Sequence, residues 1–249
     1  MKNKSISMCV LFVVAVVFSP CTAKAQLSLD IESGAAIAGY NNVRIPGDEG
    51  TLFSLTDDLN AIPAVFYRLR AGYTINSRHT VSVLYAPLTV ESDGTATFPI
   101  DFEGITFPAN TSLDASYTFN SYRITYRYDF VKKPGFDFGL GFTAKIRDAE
   151  IALVGDGLSA KKTNVGFVPI INFRLNWLIN EKFGLLLEGD ALAAPQGRAE
   201  DVLIAATYKV SEKVTLRTGY RILEGGADND EVYNFSLINY ASVGLSITL

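Results

Sequence analysis

From Leu27 onward, apolar and polar residues alternate in successive short runs, separated by clusters of Gly, Asp, Asn, Pro and Lys. A period of two is the period of a β-strand, whose side chains point in turn to opposite faces of the sheet. Ten such runs are predicted, at 27–40, 63–75, 80–90, 115–130, 136–154, 166–179, 183–194, 201–210, 214–223 and 233–249. Four of the nine connections are short and polar: Asn76-Ser77-Arg78, Lys132-Lys133-Pro134-Gly135, Asn180-Glu181-Lys182 and Ser211-Glu212-Lys213. The other five are read as loops at 41–61, 91–114, 155–165, 195–200 and 224–231. Pro87 interrupts the third run, because proline removes a ladder donor. Eight strands is the rival count.

The two faces of each run differ in kind. In the fourth, Tyr122, Ile124, Tyr126 and Tyr128 oppose Arg123, Thr125 and Arg127. In the sixth, Ile171, Phe173, Leu175 and Trp177 oppose Asn172, Arg174 and Asn176, and in the ninth Leu216, Tyr220 and Ile222 oppose Arg217 and Arg221. An arginine in mid-strand costs about 2–4 kcal/mol against lipid at the bilayer midplane, so these arginines must point inward and the aromatics outward. Tyr73, Tyr128, Phe130, Phe136, Trp177, Phe183 and Tyr208 stand near the short turns, where an interfacial girdle belongs. Short turns at one end and long loops at the other, with an even strand count, describe an all-β, antiparallel, up-and-down transmembrane β-barrel.

The N-terminus supplies the address. Lys2 and Lys4 precede an apolar stretch from Met8 to Phe18 and a small-x-small site at Ala23-Lys24-Ala25. Residues 1–25 are therefore expected to be a cleaved signal peptide, and 26–249 the barrel domain. Cys9 and Cys21 both lie in that signal, so the mature chain is expected to hold no disulfide and no Cys metal site. The signal carries three lysines and no acid, which leaves the mature chain more acidic than the full-length net charge of −4. That balance argues against nucleic acid as a partner. After residue 25 no stretch approaches the ~18–20 apolar residues of a spanning helix.

The segments Ser121-Tyr122-Arg123-Ile124-Thr125-Tyr126-Arg127-Tyr128 and Glu224-Gly225-Gly226-Ala227-Asp228-Asn229-Asp230-Glu231-Val232-Tyr233 resemble stretches of uncharacterised outer-membrane proteins. The layout of the whole mature chain is similar to small bacterial outer-membrane barrels of the OmpA/OmpW type. The run Val243-Gly244-Leu245-Ser246-Ile247-Thr248-Leu249 resembles their C-terminal assembly signal, with Leu249 where an aromatic is usual. The resemblance implies an outer-membrane monomer with both termini periplasmic, lipid around it and the barrel assembly machinery as its partner in biogenesis. It implies no chemistry.

Inward positions gather positive charge at Arg68, Arg70, Arg123, Arg127, Lys145, Arg147, Arg174, Lys209, Arg217 and Arg221, against Asp30, Glu32, Asp137, Glu188 and Asp190. In a narrow lumen such charges must pair, and the expected result is a salt-bridged plug. An anion-favouring pore for small or hydrophobic solutes is the alternative. The loop residues Phe98, Ile100, Phe102, Ile105 and Phe107 alternate like a hairpin raised above the membrane, and are expected to be exposed for a small hydrophobic ligand or a surface partner. Asp228, Asp230 and Glu231, with Glu224 nearby, gather acid at the same end but lack the length of an EF-hand loop. Solvated loop charge is the expectation there. The single histidine, His79, lies beside a short turn, away from the end where surface chemistry would occur. No enzyme activity, cofactor or metal is expected. The function read from the sequence is structural or surface-binding, ahead of a channel, a surface enzyme or a soluble lipid carrier.

Overall fold

The computed structural model describes residues 25–194 and 197–249. The expected signal peptide lies outside the described residues, apart from Ala25. Ten strands form the wall: β1 (Ala25–Arg44), β2 (Ala64–Ile75), β3 in two pieces (His79–Ala86 and Thr89–Thr95), β4 (Ser112–Lys133), β5 (Phe136–Gly155), β6 (Leu158–Leu178), β7 (Phe183–Ala194), β8 (Gly197–Lys209), β9 (Val214–Asp228) and β10 (Tyr233–Thr248). Each pairs antiparallel with the next, and β10 returns to β1 from Ser28↔Thr248 to Arg44↔Tyr233. Closure gives every wall strand two neighbours, although the upper part of β6 has no described ladder partner on its β7 side. The break in β3 falls at Pro87-Leu88, where the missing N–H was expected to weaken the ladder.

The outward faces carry the apolar belt. Leu27, Leu29 and Ile31 on β1, Tyr122, Ile124 and Tyr126 on β4 and Leu216 and Tyr220 on β9 are all exposed on the outer surface. On β4 the belt runs from Tyr122 to Phe130, close to the 9–11 residues or so that a tilted strand needs to cross hydrocarbon. It ends at a polar rung, where Asn120 Nδ2 donates to Asp148 Oδ2 on β5 at 3.3 Å. Above that rung the outward positions of β4 to β6 turn polar, with Asp114, Ser116 and Thr118, then Glu150, then Lys161 and Thr163. Tyr73, Phe130, Trp177, Phe183 and Tyr208 lie exposed next to the turns. The Phe183 and Tyr208 rings stand 5.0 Å apart across β7 and β8.

Two expected loops are strand. The segment 155–165 is a two-residue turn, with Asp156 at φ 52° and Gly157 at φ 72°, and β6 pairs with β5 from Leu158 onward. Asp-Gly between alternating residues is the hairpin signal for two positive φ values. It was overlooked because above the belt both faces are wet, so apolar alternation fades. In the segment 195–200, residues 197–200 pair with β9 as the start of β8. The loop 41–61 adds short strands at Phe53–Ser54 against β1 and Asn60–Ala61 against β3.

The apolar loop hairpin forms, as Ile100–Phe102 against Ile105–Phe107, but it is not exposed. Ile100, Phe102 and Phe107 are 0% accessible. They pack with Ile45, Phe53, Leu55 and Leu59 of the preceding loop and with Leu113 and Leu153 of the inner wall, while Phe98 and Ile105 lie half-buried at the margin. The expectation of an exposed apolar surface is thus corrected. The inner faces of β4 and β5 are apolar above the charged zone, and the hairpin folds down onto them as a cap. Phe102→Ala removes a buried ring worth about 3–5 kcal/mol. Limited proteolysis is expected to cut the 45–60 and 96–111 segments of this variant quickly, while the heat-modifiable barrel band on gels persists.

Candidate functional site

The middle of the lumen is filled with paired charge. Asp201, on the inner face of β8, receives three guanidinium groups: Arg68 Nη2 at 2.9 Å, Arg123 Nη2 at 2.6 Å and Arg221 Nη1 at 2.5 Å. Glu32 of β1 accepts Arg221 Nε and Nη2, each at 2.8 Å, Arg217 Nη2 at 3.1 Å and Ser242 Oγ at 2.9 Å. Asp190 of β7 accepts Arg123 Nη1 at 2.6 Å, Thr143 Oγ1 at 2.6 Å and Asn172 Nδ2 at 2.9 Å. Glu188 stands 3.2 Å from Arg70, 3.7 Å from Arg174 and 3.7 Å from Arg221. Asp30 pairs with Arg217 at the side facing the turns. Every barrel strand except β3 contributes to this network.

The local reason is the strand period. Positions two apart share the inner face, so Glu188 and Asp190, or Arg217 and Arg221, enter the lumen from one strand without breaking its outer belt. Glycine makes room in one place: a Cβ on Gly244 would stand 2.7 Å from the Arg217 guanidinium, which lies across β10 there.

Above the network lies an apolar layer in which Phe66 and Tyr240 meet edge to face at 4.7 Å, and above that the cap. Cavities flank the network on both sides and share no lining residue. The one toward the turns has a volume of about 340 Å³ and is ringed by Asp30, Arg70, Arg127, Asp137, Arg174 and Glu188. The one toward the loops has a volume of about 520 Å³ and is lined by Tyr117, Phe119, Lys145, Arg147, Val168 and Leu192, among others. It breaks through the wall. Among the described residues β6 pairs with β7 only from Ile171↔Ala191 toward the turns, and from Leu158 to Ile170 that side of β6 has no described ladder partner. Phe167 and Pro169, on the outer face of β6, line the same cavity as Val168 on the inner face.

No family model matches the chain. No curated protein matches it either. Solved structures do. The outer membrane protease OmpT from Escherichia coli aligns at a TM-score of 0.56 and 10% identity, over 90% of this chain and 97% of that one. The translocator domain of the autotransporter NalP from Neisseria meningitidis aligns over 97% of this chain and 95% of its own, at 12% identity and a TM-score of 0.43. The chain has the fold of a bacterial outer-membrane β-barrel. At 10% identity the likeness to OmpT is one of fold alone.

Most of the expected lumen residues come together. Arg68, Arg123, Arg217, Arg221, Glu188 and Asp190 form the network itself, with Arg70 and Arg174 at its edge. Arg127 pairs instead with Asp129 at 3.1 Å, and Asp137 with Lys132 at 3.4 Å, both near the turns. Lys209 bonds Glu212 in its own turn. The ten inward positives and five negatives expected from the sequence leave out two buried acids, Asp129 and Asp201. Asp201 was overlooked because it was placed at the edge of a loop. Stepping by twos from Thr207 through Ala205 and Leu203 puts it inside. With both acids included the inward charges are close to balanced, and the two cations left without a carboxylate partner among the described residues are the buried Lys145 and the half-buried Arg147.

At the loop end, Asp228, Asp230 and Glu231 are exposed. Asn229 Oδ1 accepts the backbone N–H groups of Glu231 and Val232 at 3.0 Å and shapes that turn. Glu224 lines the loop-end cavity together with Glu231 but is held by another partner. It faces outward and accepts Arg198 Nη2 at 2.6 Å and Nε at 2.8 Å. His79 Nδ1 lies 2.9 Å from the Tyr126 hydroxyl on the outer wall.

Asp201→Asn leaves three buried arginines short of a counter-charge. Unpairing buried charges of this kind costs about 3–5 kcal/mol. The urea midpoint of the folded barrel in detergent is expected to fall accordingly, more than for Asp228→Asn at the exposed loop.

Proposed function

We propose that this chain is a closed outer-membrane barrel whose role is binding in its loop-end half, with no diffusion path through it and no catalytic step. In this reading the turn end and both termini are periplasmic, which the short turns and the even strand count support. The observation that carries the reading is the charge network, which draws on nine of the ten strands and separates two cavities that share no wall. Opening a path through it would strip buried ions of their partners at several kcal/mol each. The apolar cap above it closes the axial route a second time. What remains accessible is the cavity beneath the cap.

Planar-bilayer recording tests this directly. The refolded mature chain is expected to give no discrete conductance steps. Asp201→Ala combined with Glu32→Ala, where it still folds, is expected to give unstable openings. Steady, solute-selective steps from the unaltered protein would make the network a gate and the chain a channel.

A further inference from the structure

The cavity toward the loops is built for a charged guest. Lys145 is only 3% accessible, yet no carboxylate stands within 4.0 Å of its ammonium group or of the Arg147 guanidinium among the described residues. Lys145 Nζ instead lies 4.7 Å from the centre of the Phe119 ring, a weak substitute for an anion. Arg147 donates to Asn164 Oδ1, and its buried Nε has no partner. The two cations sit two residues apart on the inner face of β5, about 7 Å along the strand, and both line the cavity. The network a few residues away satisfies every arginine head with at least one carboxylate. Here two cations share the cavity with Glu150, Glu224 and Glu231, yet none of these acids pairs with either of them.

Most of the remaining surface is apolar, with Phe119, Val168 and Leu192, but Glu150, Glu224 and Glu231 also stand in the lining. Phe167, 68% exposed, pairs with Ile146 one step below the polar rung at Asp148. On the β6 side the gap therefore opens at the level of the belt, at Phe167, Val168 and Pro169, and on the other side its described border is Leu192, Ala194 and the Arg198–Glu224 ion pair. A guest entering there crosses neither the cap nor the charge network.

We propose that this cavity binds a single-chain amphipathic anion, its carboxylate or phosphate held between Lys145 and Arg147 and its alkyl chain leaving the barrel sideways between β6 and β7. The proposal rests on the closed-barrel reading for the statement that the side opening is the route in. The chemistry is shared by a free fatty acid and by an anionic bilayer lipid.

The test uses the folded mature chain in phosphatidylcholine nanodiscs and dansyl-undecanoate, which carries its fluorophore at the tail end. Saturable binding is expected, with the methyl ester at least about tenfold weaker, the effect of losing charge-assisted hydrogen bonds. Lys145→Gln with Arg147→Gln is expected to reduce the acid to the level of the ester, with the heat-modifiable band confirming the fold. The acid–ester comparison needs no variant and stands if that pair fails to fold. Brominated lipid chains are expected to quench the bound probe. Displacement by phosphatidylglycerol in the disc identifies a bilayer lipid as the guest, and displacement by added oleate alone identifies a free acid. Equal binding of acid and ester, or no binding, overturns the site, and an unquenched bound probe overturns the sideways route. A conducting protein that still binds the acid would remove the closed-barrel reading and leave the site standing.

Discussion

The Asp201 carboxylate is shared by three guanidinium groups that reach it from β2, β4 and β9. A membrane barrel gains little from burying apolar surface on its outside, because lipid is as apolar as the side chains that face it. Its interior therefore has to cohere by other means. Here each buried acid of the central network is ligated by more than one donor, and the donors come from strands far apart in the chain. That arrangement offsets the cost of drawing charge out of water, which a single isolated pair would not do. It also ties opposite walls together, so the barrel keeps its cross-section and the levels above and below keep their separate characters.

Those levels follow from how far each strand rises. The central zone is charged because the outward positions there are spent on the belt, and the inward ones are free to be polar. Higher up, β4 to β6 leave the belt behind, and the inner face becomes the apolar one. The loop hairpin at Ile100–Phe107 has nothing to gain from facing water and folds onto that face. The same chain thus reverses its polarity along one strand: on β4, Arg123 and Arg127 face inward within the belt, and Leu113 and Tyr117 face inward above it.

The belt, the strand count, the turn positions and the inward arginines were all legible in the sequence, because period two is strongest where one face meets lipid. The signal faded where both faces are wet. Leu158 to Val165 holds the unbroken polar run Lys161-Lys162-Thr163-Asn164, so it reads as a loop despite the Asp-Gly turn that precedes it. The same loss of contrast hid the start of β8, and with it Asp201. The cap was misjudged for a different reason. Alternation in Phe98 to Phe107 gives a hairpin but does not say which side will be covered, and the partners that cover it come from a loop some fifty residues earlier. The pairing of the lumen charges was readable as a class and not residue by residue, since it depends on which walls face one another.

At the seam between β6 and β7, a length of β6 backbone has no ladder partner among the described residues. An unpaired strand is a template onto which another chain can add itself, and in a crowded membrane that invites fusion of barrels edge to edge. The composition of this stretch works against it. Lys161 and Lys162 place charge on both faces near its upper end, and Pro169 withholds a donor near its lower end, just above the point where pairing with β7 begins. The same composition thus makes this stretch a poor template for a second strand.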